Sequence, residues 1–183
     1  NEIIKQSGSS ITIGESGDTI NIGTTGDTVN LAGSAYATAE TMTPSFQAYM
    51  NGNQSLANTT YTKMEMDTEV YDTDSKYDTS NYRFTPGTAG KYWVWGKFRM
   101  DTGTDIAASI IAVYKNGSLI SKFTQFQTNS TTRAFGQVIR LDTDDYIELY
   151  GYQNGGSSEN VNGGAEEDQD TGHWGAYRIT GVT

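Results

Sequence analysis

Residues 67–100, DTEVYDTDSKYDTSNYRFTPGTAGKYWVWGKFRM, decide the fold. Two short strand candidates lead through a Pro86-Gly87 turn into one long strand that opens after Ala89-Gly90. Within that strand Tyr92, Val94, Phe98 and Met100 share one face and Trp93, Trp95, Lys97 and Arg99 the other. This is the period of two that a β-strand imposes on its side chains. Gly96 interrupts the first face.

Working outward, the same pattern recurs. Phe46 to Met50 reads as a first strand, Asn51-Gly52 as a turn, and Tyr61 to Met66 as a further alternating strand. Asn116-Gly117, flanked by apolar runs, is the strongest short-range hairpin signal in the chain. Strands follow over about Arg133 to Leu141, Asp145 to Tyr152 and His173 to Val182, and the turn-like segment 153–172 separates the last two. Ten or so short strands at this spacing make an all-β sandwich.

Val70 to Asp78, VYDTDSKYD, followed by Arg83 to Tyr92, RFTPGTAGKY, resembles the core signature of the globular heads of complement's first component. Those heads share the trimeric jelly roll of tumour necrosis factor. The residues that carry the likeness are Asp72, Tyr77-Asp78, Phe84 to Pro86 and Gly90 to Tyr92, with Val113 to Gly117 and Leu141 to Ile147 downstream. It spans residues 44 to 183 and departs at the end, where HWGAYRI stands in place of a Phe-x-Gly motif. The resemblance implies a ten-stranded jelly-roll sandwich, assembly as a homotrimer, and ligand binding without catalysis.

Residues 5–31 form three ungapped nonapeptides, KQSGSSITI, GESGDTINI and GTTGDTVNL. Gly8, Gly17 and Gly26 recur in the turn, and the aliphatic pairs Ile11 and Ile13, Ile20 and Ile22, and Val29 and Leu31 each flank one polar residue. Two aliphatic side chains per repeat cannot offset the ordering of nine backbones. These six residues are therefore expected to form the core of a stalk shared between three chains, a β-prism or triple β-helix. The expected organisation is a stalk over 1–33, a joint over 34–45 and a jelly-roll head over 46–183.

The net charge of −10, from 22 acidic and 12 basic residues, argues against a nucleic-acid partner or an anionic membrane surface. The longest strongly apolar run, Ile110 to Tyr114, is too short to insert into a bilayer. No cysteine is present, so stability must come from the core or from assembly. A first residue other than Met suggests an excised or processed piece.

One histidine and no cysteine remove most nucleophile–base pairs and thiolate metal sites, and no spacing singles out a carboxylate pair, so no enzyme is expected. His173 is expected to be structural or solvated. No cofactor is required, although Glu166, Glu167, Asp168 and Asp170 carry the hard oxygens that calcium prefers without the order of a dedicated calcium loop. Asp67, Asp72, Asp74 and Asp78 are expected to accept backbone N–H groups in turns.

Alternating strand directions send the connections 101–105, 127–132 and 153–172 to the end of the head farthest from the stalk. Receptor-binding candidates there are Thr104, Asn129, Tyr152, Asn154, Ser157, Glu159, Asn160 and Asn162; Tyr150, Tyr152 and Trp174 flank the longest connection as rings that could stack on sugars, or else belong to the core or the trimer interface. Nonapeptides of this type leading into a trimeric head resemble the C-terminal part of a bacteriophage tail fibre or virion spike. The resemblance implies a virion tip that binds a host-cell-surface glycan or outer-membrane protein and joins other virion proteins at its N-terminal end. A structural decoration or fibre-capping protein, or a secreted extracellular complement-like lectin or adhesin, are the alternatives.

Overall fold

The computed structural model describes residues 42–101, 106–127 and 131–179. The chain divides into two units, Asn1–Ala39 and Glu40–Thr183. The nonapeptides with their six aliphatic core candidates, and also Thr104 and Asn129, lie outside the described residues.

Among the described residues every regular element is a strand: β1 Ser45–Tyr49, β2 Gln54–Leu56, β3 Thr62–Lys63, β4 Thr68–Asp72, β5 Tyr77–Asp78, β6 Arg83–Phe84, β7 Gly90–Asp101, β8 Ile106–Lys115, β9 Ser118–Gln127, β10 Thr131–Leu141, β11 Ile147–Gln153, β12 Glu159–Val161 and β13 His173–Ile179. They form two antiparallel sheets. In the first, β10, β7, β13, β1 and β4 lie side by side, and β12 joins the last residues of β7 to β2. In the second, the order is β9, β8, β11, β6, β5, with β3 also on β11.

The alternation read from β7 holds residue by residue. Tyr92, Val94, Phe98 and Met100 are fully buried between the sheets, while Trp93, Trp95, Lys97 and Arg99 are half-buried on the outer face. Opposite them Ile111, Val113, Ile147 and Leu149 close the core from the second sheet. Trp174 sits at its centre, edge-on to Phe46 at 5.0 Å and to Tyr77 at 5.9 Å.

Two elements differ from the sequence reading, and the place of a third is new. Of the expected strand over 61–66 only Thr62–Lys63 forms a ladder with β11, extended by Met64 N–H donating to Leu149 O at 2.9 Å; beyond it the chain leaves the sheet, although Met64 and Met66 are buried in the core. The last connection contains β12, so it is not a plain loop. The final strand is central, between β1 and β7, with Trp174 and Ala176 facing inward.

The turn chemistry follows the aspartates. Tyr77 N–H donates to Asp72 Oδ2 at 2.7 Å, Asn51 N–H to Asp67 Oδ1 at 2.9 Å, and Ser80 N–H to Asp78 Oδ1 at 2.8 Å. Asp74 instead accepts the Thr73 hydroxyl. Asn116 and Gly117 have φ of 51° and 75°, the pair of positive values that a tight two-residue hairpin of this twist demands.

Register separates the two ends of the sandwich. Ser45 pairs with Tyr177, Ile179 with Lys91 and Gly90 with Leu141, so β1 begins and β13 ends beside the Asn116-Gly117 hairpin and the Asp142–Asp144 turn. At the other end lie Asp101, Ile106, Gln127, Thr131 and Gln153, from which all three polar connections spring.

Asp145 locks the first end. Its carboxylate accepts from Asp142 N–H at 2.7 Å and Asn116 Nδ2 at 2.6 Å, and pairs with Lys115 Nζ at 2.5 Å. The backbone bond from Asp142, then Lys115 and Asn116, hold its pKa at about 2 against an ordinary 3.8. A carboxyl depressed by folding stabilises the fold above its unfolded pKa and loses that stabilisation as pH falls through the folded value. The stability advantage of the native chain over Asp145→Asn should therefore be full near pH 5 and shrink between about pH 4 and pH 2. Paired thermal melts across that window check it; a difference independent of pH would contradict it.

Candidate functional site

The segment 153–172 is stitched to the sandwich by its own side chains. Gln153 is fully buried; its Nε2 donates to Leu56 O at 3.0 Å and to Ser157 O at 2.7 Å, and its Oε1 accepts Gly155 N–H at 2.6 Å. Asn154 Oδ1 accepts Ala108 N–H at 2.6 Å, Asn58 Oδ1 accepts Gly156 N–H at 3.0 Å, and Asn53 Oδ1 accepts Gly163 N–H at 2.9 Å. Asn162 extends the ladder through its backbone, donating to Arg99 O at 2.9 Å and accepting from Gly172 N–H at 3.1 Å.

The expected receptor-binding residues therefore divide. Asn154 and Asn162 are half-buried and build the platform. Ser157 and Asn160 are exposed on it, and Ser157 Oγ donates to Glu159 Oε1 at 3.1 Å. Asn160 lies directly across from exposed Ser55.

Alternation along β11 turns Glu148, Tyr150 and Tyr152 to the outer face of the second sheet. There four half-buried phenols form a row: Tyr152 to Tyr61 at 4.9 Å between ring centroids, Tyr61 to Tyr114 at 6.1 Å, and Tyr114 to Tyr150 at 4.0 Å. The row starts near the end that carries the polar connections and runs along the sheet. Burial raises the phenol pKa of Tyr114 and of Tyr150, the latter also through the Glu148 carboxylate, so these hydroxyls stay protonated and able to donate at neutral pH. Glu148 itself is almost fully buried and held by Lys63 Nζ at 2.7 Å and Arg83 Nη2 at 2.9 Å. The Arg83 guanidinium lies 3.9 Å above the Tyr146 ring. Protonated phenols and half-exposed rings together can hydrogen-bond and stack on a sugar face.

Trp174 is not part of this surface. Its sequence position beside the connection suggested a flanking ring, but it is fully buried and its indole N–H donates to the Tyr77 hydroxyl at 3.3 Å. His173 is buried, its Nδ1 3.0 Å from Thr171 O, as a structural residue would be. Tyr61 and Tyr114 were missed by the sequence reading. The alternation of Val113-Tyr114-Lys115 marked Tyr114 as outward-facing, whereas Tyr61 reaches the row only because the chain turns at Thr59.

The four acidic residues of the last connection do not converge. Asp170 pairs with Arg99, Asp168 caps its own turn by accepting Asp170 N–H at 3.0 Å, and Glu166 and Glu167 are exposed. Among the described residues no group of three or more His, Cys, Asp or Glu side chains could hold a metal ion.

The outer face of the first sheet is also unlike an ordinary solvated surface. It carries Trp93, Trp95 and Tyr177, all half-buried, together with Val138 at 53% exposure and Tyr71 at 43%.

With this geometry in place, two solved structures are similar to the chain. The globular domain of zebrafish complement 1qA protein aligns with a TM-score of 0.55 at 12% identity, covering 74% of this chain and 97% of its own. Eiger TNF from S. frugiperda aligns with a TM-score of 0.57 at 7% identity, covering 76% of this chain and 96% of its own. No protein-family model and no curated protein matches the sequence. At these identities the likeness is one of fold: the described unit is a jelly roll of the complement-head and tumour-necrosis-factor type.

Gln153→Ala should remove three hydrogen bonds, one buried and two partly buried, and cost about 2 to 3 kcal/mol, since a buried group left unpaired loses its solvation as well as its partner. Hydrogen exchange at Gly155 should accelerate with it. Unchanged exchange there would show that β12 alone holds the segment.

Proposed function

We propose that this chain is the tip of a virion fibre or spike, trimeric and without catalytic activity, which binds a host-cell-surface receptor, a glycan or an outer-membrane protein. One observation carries the reading: the first strand begins and the last strand ends at one end of the sandwich, while the polar connections spring from the other, where the outward tyrosine row also starts. A head mounted through its N-terminal side would present that surface outward. The fold shared with the complement 1q and Eiger TNF domains supports a binding role, and the nonapeptide repeat supports a fibre.

The occupant of the outer face of the first sheet is another copy of the chain. Rings and an aliphatic residue clustered on one face are what a homotrimer interface would bury. Light scattering should give about three times 19.9 kDa. Val138→Asp should shift the population toward monomer, because it would bury unpaired charge three times over. A wild-type chain that stays monomeric at micromolar concentration would overturn this assembly.

For the receptor, Tyr61→Ala combined with Tyr152→Ala is the sharper test. Each ring is worth on the order of 1 kcal/mol in stacking, so the pair should weaken binding to host cells by about tenfold or more while the trimer persists. Undiminished binding by an intact variant trimer would move the site elsewhere. Absence of binding by the wild-type chain to any host cell would favour a structural, fibre-capping role.

A further inference from the structure

Arg133 is 2% exposed, and none of its Nε, Nη1 and Nη2 atoms has a hydrogen-bond partner among the described residues. It lies on β10 opposite Phe98 and points between the sheets at the seam where β9 and β10, the outer strands of the two sheets, come together. Beyond it the seam is shut by the Phe123–Phe135 stack, with centroids 5.1 Å apart, and by Ser121 Oγ donating to Gln137 Oε1 at 2.9 Å. Around Arg133 it opens into a cavity of about 130 Å³ lined by Ile111, Phe123, Thr124, Arg133 and Ala134.

The isolation of this side chain is specific. Lys63 and Arg83 share Glu148, Arg99 faces Asp170, Lys115 faces Asp145, and Arg140 faces Asp142. Arg178, half-buried, also has a buried Nε without a partner, but its side chain is far less enclosed than that of Arg133. In a chain with 22 carboxylates, the most deeply buried of these cations has no anion beside it among the described residues. Burial lowers its pKa, yet a guanidinium remains charged at neutral pH. A buried cation of this kind is tolerated when an anion completes it.

We propose that the Arg133 cavity is a binding site for a carboxylate ligand. The planar fork of a guanidinium matches a carboxylate through two parallel hydrogen bonds. Arg133 is the one charged side chain among the residues that line the cavity, which suits a monoanion better than a doubly charged phosphate. Ile111 and Phe123 supply apolar walls for the carbon skeleton behind the acid group. The volume admits an acid group with a few carbons, so the ligand is a small organic acid or the acidic terminal residue of a saccharide. The site shares no residue with the tyrosine row or the last connection, so it stands or falls separately from the receptor role.

The test uses the full chain in its native assembly, titrated with sodium acetate, sodium glucuronate, glucose and sodium chloride at matched ionic strength. Acetate, glucuronate or both should raise the thermal midpoint saturably and shift the Arg133 Nε–H resonance, whereas glucose and chloride should do neither. A response to acetate alone identifies a free small acid as the ligand; a response to glucuronate identifies a sugar acid. Arg133→Met should bind the same acid at least tenfold more weakly while folding normally, because it deletes the unpaired charge together with the site. Arg133→Lys, which keeps the charge and loses the fork, should fall between the two. No saturable response of the wild-type chain to either acid, an equal response to chloride, or unchanged binding by Arg133→Met would each overturn the proposal.

Discussion

The structure depends on β7 carrying large side chains on both of its faces at once, buried inward and half-buried outward. Inward it carries Tyr92, Phe98 and Met100, outward Trp93 and Trp95, and it pairs with β10, β13 and β12 along its length. A strand so loaded can be central only where its neighbours make room. At Gly136 a Cβ would stand 2.5 Å from Trp93 Cζ2, and at Gly96 one would stand 2.8 Å from Phe135 Cε1. Both glycines are required by close approach, since neither has a positive φ. Gly96, which breaks the hydrophobic face in the sequence, is thus the position where Phe135 and Trp174 close over the strand.

This explains what could be read from the chain alone. The alternation of β7, the Asn116-Gly117 hairpin and the aspartate turns are local: each depends on residues within a few positions of one another, so sequence spacing suffices. The short strands β3 and β12 are not local. Thr62–Lys63 is a strand only because β11 offers a free stretch beside it, and Glu159–Val161 only because the end of β7 and the strand β2 flank it. The candidate site suffered in the same way. Tyr150 and Tyr152 were visible as outward residues of one strand, but the row needs Tyr61 and Tyr114 from two other segments. Trp174 could be read as a ring beside the loop or as a core residue, and the inward alternation of Trp174 and Ala176 in β13 puts it in the core.

Charge is distributed with a similar logic. The chain is strongly acidic, yet its buried carboxylates are neutralised where they occur: Glu148 by Lys63 and Arg83, and Asp145 by Lys115 together with neighbouring N–H donors. The excess anions are left outside, Glu166 and Glu167 among them, where water screens them. In the last connection Asp168 and Asp170 are engaged with a backbone N–H and with Arg99.

The extent of that engagement bears on how the far end could recognise anything. A mobile loop must be ordered on binding, and each immobilised side chain subtracts from affinity. Here Gln153, Asn154, Asn58 and Asn53 already fix the backbone of 153–163 from four directions, leaving Ser157, Asn160 and Ser55 exposed on a held surface. The tyrosines beside it are fixed by ring contacts with one another, and a phenol has few rotamers left to lose. A receptor bound there, as proposed, would meet a surface ordered in advance by the same hydrogen bonds that complete the sandwich, so recognition and folding at this end would rest on one set of interactions.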